Sequence, residues 1–242
     1  MSLVAASVSS LEELDLIEKE RSETEAAKQP PEESADAAPG SAILFRLIDV
    51  IGALALILIL LPSLLLIALV SGISSGGSPI FRHRRIGKGG RAFDCLKFRT
   101  MYVGAEQKLA EMLASDPVLR AEWNAGFKLK HDPRITLVGR FLRVTSLDEL
   151  PQLLNVLMGD MSLVGPRPIV EDELPRYGRY VSSYLAIKPG LTGLWQVTGR
   201  SDSNYRHRVA ADHIYANNKT LLLDLRILFA TIPAVLCGRG AC

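Results

Sequence analysis

VIGALALILILLPSLLLIALV, residues 50–70, is the stretch on which the reading of the whole chain turns. No charged side chain occurs from position 50 to position 81. A helix over these residues rises about 30 Å, the thickness of a bilayer's hydrocarbon core. Buried helices of soluble proteins are shorter and keep a polar edge, so the stretch predicts insertion into a membrane. Pro62 removes one backbone hydrogen bond in its middle and leaves arms of 12 and 8 residues, each too short to cross alone. Two topologies stay open: a kinked helix that spans, or a re-entrant one that enters and leaves on one face. Length favours spanning. Asp49 beside Arg46 at the start favours re-entry, because that pair then stays at the surface.

On the C-terminal side, Arg82, Arg84, Arg85, Lys88, Arg91, Lys97 and Arg99 crowd together with a single acid, Asp94. Such clusters remain cytoplasmic, which puts the body of the chain there, and part of the cluster can hold anionic lipid headgroups. Residues 1–45 are the opposite, with ten acidic and three basic side chains. Residues 1–40 also lack aromatic side chains and are rich in Glu, Ala, Ser and Pro, the composition of a disordered tail, with at most a short helix over 10–25. The tail lacks the basic start of a signal peptide. The 242 residues carry a formal net charge of +2, so overall charge implies no nucleic-acid partner. Three cysteines without a C-x-x-C pair support neither a disulfide framework nor a zinc site.

Beyond residue 80, β-like runs over 79–85 and 91–98 flank Gly87-Lys88-Gly89-Gly90, which predicts a hairpin. Short helices are expected over 105–114, 117–124, 150–157 and 204–218. The apolar stretch 221–236 suits either the membrane interface or the core, with the interface favoured. The resulting organisation is α+β: a tail over 1–40, a membrane helix over 41–75, and a cytoplasmic domain over 76–242 made of short helices and a small hairpin.

The segment DPRITLVGRFLRVTSLDELPQLLNVLMGDMSLVGPRP, residues 132–168, carries the most chemistry. Asp148 and Glu149 are adjacent carboxylates preceded by Arg134, Arg140 and Arg143 and followed by Arg167. Pro151 fits the first turn of a helix starting near Asp148, whose positive end would face the carboxylates and any phosphate beside them. An equally open reading makes Ser146 or Asp148 only an N-cap, with Glu149 closing a capping box after Ser146. In Gly165-Pro166-Arg167-Pro168, two prolines hold an arginine in extended backbone, which lowers the freedom lost when its fork grips a phosphate. Fixed arginines beside carboxylates able to hold Mg²⁺ suit phosphoryl transfer. The third segment, KPGLTGLWQVTGR over 188–200, has glycines for a backbone that approaches a ligand closely.

These segments, together with FRHRRIGKGGRAFDCLKFRTM (81–101) and DHIYANNKTLLLDLRIL (212–228), resemble the bacterial sugar transferase family over residues 42–237. That family comprises monotopic polyprenyl-phosphate phosphoglycosyl transferases, and the chain is similar to its small exopolysaccharide-initiating form. The resemblance implies that Asp148 is a nucleophile that takes a sugar phosphate from a nucleotide diphosphate sugar, a UDP-sugar, and passes it to undecaprenyl phosphate. Glu149 is then its partner in a Mg²⁺-binding dyad. Lys97, Arg99, Arg143, Arg167 and Arg200 fall on motif positions suited to phosphate or substrate contacts. The resemblance also implies a re-entrant helix broken at Pro62, and the cytoplasmic face of a bacterial inner membrane as the location. Galactose or glucose is the sugar it favours; association with a second copy stays open. Two rivals remain: a non-catalytic scaffold of a polysaccharide assembly complex, and a membrane-bound Mg²⁺ phosphohydrolase.

Overall fold

The computed structural model describes residues 39–126, 129–198 and 205–236. The acidic tail up to residue 38, Arg200, Cys237 and Cys242 lie outside the described residues. The first element, α1 (Pro39–Ser75), is a 37-residue helix with Pro62 inside it. The proline does not end the helix as a strict break would; one missing N–H is tolerated where local adjustment of the helix or a neighbouring hydroxyl satisfies the freed carbonyl. Residues 41–75 are long and apolar enough to cross a membrane, and only 6 % of the most apolar window is buried. That exposure sets α1 apart from the core helix of a soluble protein.

Both ends of α1 dock on the body. At one end, Arg46 donates to the Val156 and Leu157 carbonyls at 2.6 and 2.8 Å. The buried Asp49 carboxylate accepts from Ser162 Oγ and Leu163 N at 2.9 and 2.8 Å. At the other end, Ser71 Oγ donates to the Arg99 carbonyl at 2.6 Å, and Val103 N donates to the Ser75 carbonyl at 3.1 Å. Most residues between these ends are exposed.

The hairpin forms where the alternating pattern placed it, as β1 (Ile80–Ile86) antiparallel to β2 (Ala92–Phe98), with His83 opposite Cys95 and Phe81 opposite Lys97. Its turn needs Gly89 and Gly90, whose φ values are +65° and +77°. Next come α2 (Ala105–Ser115), α3 (Pro117–Gly126) and α4 (Leu137–Val144), the last capped by Thr136 Oγ1, which accepts from Gly139 N at 2.8 Å. A 3-10 turn, Leu147–Glu149, leads into α5 (Gln152–Met158). The chain continues through β3 (Ser162–Val164), a 3-10 stretch Glu171–Tyr180, α6 (Val181–Ala186), β4 (Gly190–Thr192), α7 (Leu194–Thr198), α8 (Tyr205–Asn217) and α9 (Leu221–Leu236). Strands β3 and β4 pair in parallel, a feature that three-residue strands do not announce in sequence.

Two expectations are corrected. The helix after the paired carboxylates starts at Gln152, with Pro151 as its N-cap, so Asp148 and Glu149 lie in the turn before it rather than in its first turn. The capping box does not form either. Ser146 adopts φ +57° and makes no side-chain cap bond, because a left-handed residue turns its side chain away from the turn that follows.

The main core gathers Phe93, Cys95, Leu153, Val156, Leu163, Ile187, Tyr215 and Ile227, together with Ala53 of α1. A smaller cluster holds Ile86, Ile169, Tyr177, Tyr184 and Val209. Helix α9 packs on the core along one face, as one of the two expectations had it. Ile227 and Asp224 face inward, the latter accepting from Tyr215 Oη at 2.7 Å, while Leu222, Leu225, Phe229 and Ile232 are exposed on the opposite side.

Candidate active site

A pocket lies between the hairpin, the 3-10 turn Leu147–Glu149, the loop after β3, and β4 with α7. Its lining includes Arg85, Cys95, Lys97, Glu149, Gln152 and Arg167. Lys97 extends from β2 to Glu149 Oε1 at 2.6 Å, and Arg167 Nη2 stands 4.0 Å from the same oxygen. Burial alone would raise the Glu149 carboxyl, but Lys97, Arg167 and Arg85 outweigh it and hold the group below the usual carboxylate range.

Asp148, half-buried beside it, goes the other way: burial pushes its carboxyl up and Glu149 adds to the push, while Lys97 and Arg143 oppose. Neighbouring carboxylates are thus driven apart, one held as an anion and the other poised closer to neutrality. Two residues upstream stands Ser146, the one non-glycine residue with positive φ among the described residues. Such backbone costs about 1–3 kcal/mol and persists where the surroundings over-determine it, commonly at functional sites.

Arg143 is set by Thr100, whose Oγ1 accepts from its Nε at 2.9 Å, and its charge acts on Asp148. Behind it Asp132 grips Arg134 with both oxygens, at 2.8 and 2.6 Å, in a buried pair. Arg99 is brought elsewhere: its Nε donates to the Ser78 carbonyl at 2.7 Å and its guanidinium lies over Phe81, away from the pocket lining. The structure therefore gathers Lys97, Arg143, Asp148, Glu149 and Arg167, and leaves Arg99 at the foot of the hairpin.

The proline-flanked arginine is held by its backbone. Gly165 N donates to the Thr192 carbonyl at 2.9 Å and Gly190 N to the Pro166 carbonyl at 2.8 Å. A Cβ on either glycine would strike the other loop's backbone, so the two glycine motifs meet main chain to main chain. Residues that sequence reasoning missed complete the support. Glu173 Oε2 accepts from Arg208 Nη1 at 3.2 Å and Tyr205 Oη at 3.1 Å, and its Oε1 is 3.5 Å from Arg85 Nη1. Those two arginines in turn donate to the carbonyls of Arg167 and Pro168, at 3.2 and 3.3 Å. No local sequence signal marks Glu173 or Arg208; the burial of Arg208 shows only in the fold.

Asp148 and Glu149 are not joined by a third His, Cys, Asp or Glu at metal-ligand spacing among the described residues. Two carboxylates are what Mg²⁺ takes from a protein when phosphate oxygens and water complete its shell. The donor set therefore fits Mg²⁺ bound jointly with a phosphate-bearing substrate.

The family model for the bacterial sugar transferases matches residues 40–238. The chain belongs to that family. The UDP-galactose-lipid carrier transferase of Erwinia amylovora is 55 % identical over 202 residues, 83 % of this chain and 42 % of its own length. The undecaprenyl-phosphate galactose phosphotransferase of Salmonella typhimurium is 53 % identical over 201 residues, with the same shares covered. The exopolysaccharide production protein ExoY of Rhizobium meliloti is 48 % identical over 224 residues, 91 % of this chain and 99 % of its own. The chain thus spans about two fifths of the first two relatives and nearly all of ExoY.

Proposed function

We propose that this sugar transferase moves a hexose 1-phosphate from a UDP-sugar to undecaprenyl phosphate, at the cytoplasmic face of a bacterial inner membrane, as the first step of exopolysaccharide synthesis. The observation that carries the reading is the pair of adjacent carboxylates, shifted in opposite directions, within a ring of three cations from three separate segments: Lys97, Arg143 and Arg167. Relatives named as a UDP-galactose-lipid carrier transferase and an undecaprenyl-phosphate galactose phosphotransferase add support for the substrate class.

In this mechanism the Asp148 carboxylate attacks the phosphorus that bears the sugar. The bond from that phosphorus to the bridging oxygen breaks, and nucleoside monophosphate leaves with the electron pair. The acyl phosphate on Asp148 is then attacked by a phosphate oxygen of the lipid, which frees the carboxylate. Lys97 and Arg167 neutralise the phosphate oxygens, while Arg143 steadies Asp148 as an anion. Asp148 and Glu149 would hold Mg²⁺, which when bound would supply further charge neutralisation on the diphosphate.

A re-entrant α1 suits this chemistry. Asp49 and Ser71 both bond to the one domain while the turns between them stay exposed. A helix with its ends on opposite faces of a bilayer would separate those anchor points by about 30 Å of hydrocarbon. The exposed apolar side of α9 and the basic hairpin fit contact with an anionic membrane surface.

The deciding assay presents purified protein with UDP-galactose or UDP-glucose, with and without undecaprenyl phosphate, and follows UMP. Stoichiometric release without lipid and turnover with it is the expected result. Release of free sugar phosphate without lipid would identify a phosphohydrolase, and no release from any nucleotide sugar would leave a scaffold.

A further inference from the structure

Away from the pocket, where α1 enters the body, three cations converge that the transfer reaction does not use. Arg46 Nη2 and Lys188 Nζ lie 3.5 and 3.7 Å from a single point, the place a Cβ on Gly159 would occupy. Lys219 Nζ sits 4.4 Å above the ring of Phe45, the residue next to Arg46. These side chains come from α1, the loop before β4 and the loop between α8 and α9. The nearby carboxylate, Asp49, is already engaged by Ser162 Oγ and Leu163 N. The half-buried Lys188 ammonium makes no hydrogen bond or ion pair among the described residues. Burial and Arg46 both push its pKa down, which marks positive charge that an anion would relieve.

We propose that Arg46, Lys188 and Lys219 form a cradle for the phosphodiester headgroup of an anionic phospholipid. The lipid character follows from what lies beyond it on α1: Leu47, Ile51 and Leu54, which run from Arg46 toward the apolar middle of the helix, are exposed where acyl chains would run. The phosphate of the acceptor lipid is a poor occupant, because it must reach Asp148. The cations acting on Asp148 and Glu149 are Lys97, Arg143, Arg167 and Arg85, whereas the charges acting on Lys188 are Arg46, Asp49, Lys88 and Lys219. The cradle rests on the reading of the chain as a membrane transferase but serves the seating of α1 rather than turnover.

The test follows thermal unfolding of the full chain in detergent, so it reads no turnover and its failure is distinct from failure of the transferase reading. Short-chain phosphatidylglycerol should raise the unfolding temperature more than phosphatidylcholine of equal chain length. Lys188→Gln with Lys219→Gln should weaken the apparent affinity about fivefold for each lysine. Lys108→Gln, exposed on α2, should leave it unchanged, and Lys188→Arg with Lys219→Arg should retain it. An undiminished response in the double glutamine variant overturns the proposal, as does an equal response to phosphatidylcholine. Equal stabilisation by inorganic phosphate would show a free-anion site. Stabilisation by a short polyprenyl phosphate, lost in the same variants, would assign the cluster to the acceptor.

Discussion

Lys97 Nζ and Glu149 Oε1 are 2.6 Å apart, joining the hairpin to the 3-10 turn across 52 positions of sequence. Both side chains are largely shielded, at 18 % and 27 % exposure. Losing one partner of such a pair leaves an uncompensated charge and costs about 3 kcal/mol. Lys97→Met should therefore lower both thermal stability and activity. Glu149→Gln should lower activity by orders of magnitude with a smaller loss of stability, since the amide still accepts from Lys97. Full activity of wild-type protein in excess EDTA would remove Mg²⁺ from the account.

Asp148 is expected to carry the phosphosugar between half-reactions. Protein incubated with sugar-labelled donor alone should retain label that hydroxylamine removes, as it does from an acyl phosphate. Asp148→Asn should abolish the label and reduce turnover roughly 10³-fold or more. Label persisting in that variant would move the nucleophile elsewhere.

Glu173 touches neither the pocket nor the paired carboxylates, yet it holds the two arginines that grip the backbone around Arg167. It is a positioning residue. Glu173→Gln should lower kcat about 10–100-fold while KM for the donor stays put, because the arginine's aim matters most when charge develops. A rise in KM with kcat unchanged would point to donor binding instead.

Asp212 supplies a pH dependence of stability. Burial pushes its carboxyl up to about 6, with Tyr177 and Arg208 opposing. Between the ordinary carboxylate range and that value the folded chain binds more protons at this site than the unfolded chain. Its contribution to stability is therefore full at the acidic end and lost as pH rises through about 6. Thermal unfolding of Asp212→Asn should show a flatter profile from pH 4 to pH 6 than the wild type; an identical slope would refute the assignment.

Topology is open to direct labelling. With α1 re-entrant, a cysteine placed at Ser9 or Ser34 stays inside intact cells. It should resist a membrane-impermeant maleimide until lysis; modification before lysis would show that α1 spans.

The hairpin and α2, α3, α8 and α9 were legible because their signals are local: Gly89 and Gly90 demand a turn, and Asp116 caps α3 by accepting from Val118 N at 2.8 Å. The paired carboxylates and the proline-flanked arginine were legible as chemistry. Their supports were not. Glu173 meets Arg85 across 88 residues and Arg208 across 35, and no periodicity encodes partners so far apart. Ser146 was misread for a related reason: Ser-x-x-Glu is a capping signature only when the serine is extended, and here the fold holds it left-handed.

Arg46 and Asp49 belong to the long apolar α1, yet they satisfy the Val156 and Leu157 carbonyls of α5 and the Leu163 amide of β3, and Ala53 is fully enclosed in the main core. Cutting the chain after residue 75 to obtain a soluble enzyme would strip those partners away and expose Leu153, Val156 and Leu163 at the same time. Each orphaned buried group costs about 1–3 kcal/mol, a large share of what holds a domain of this size together. Purification strategies for this protein have to carry α1 along, because it is also a wall of the house.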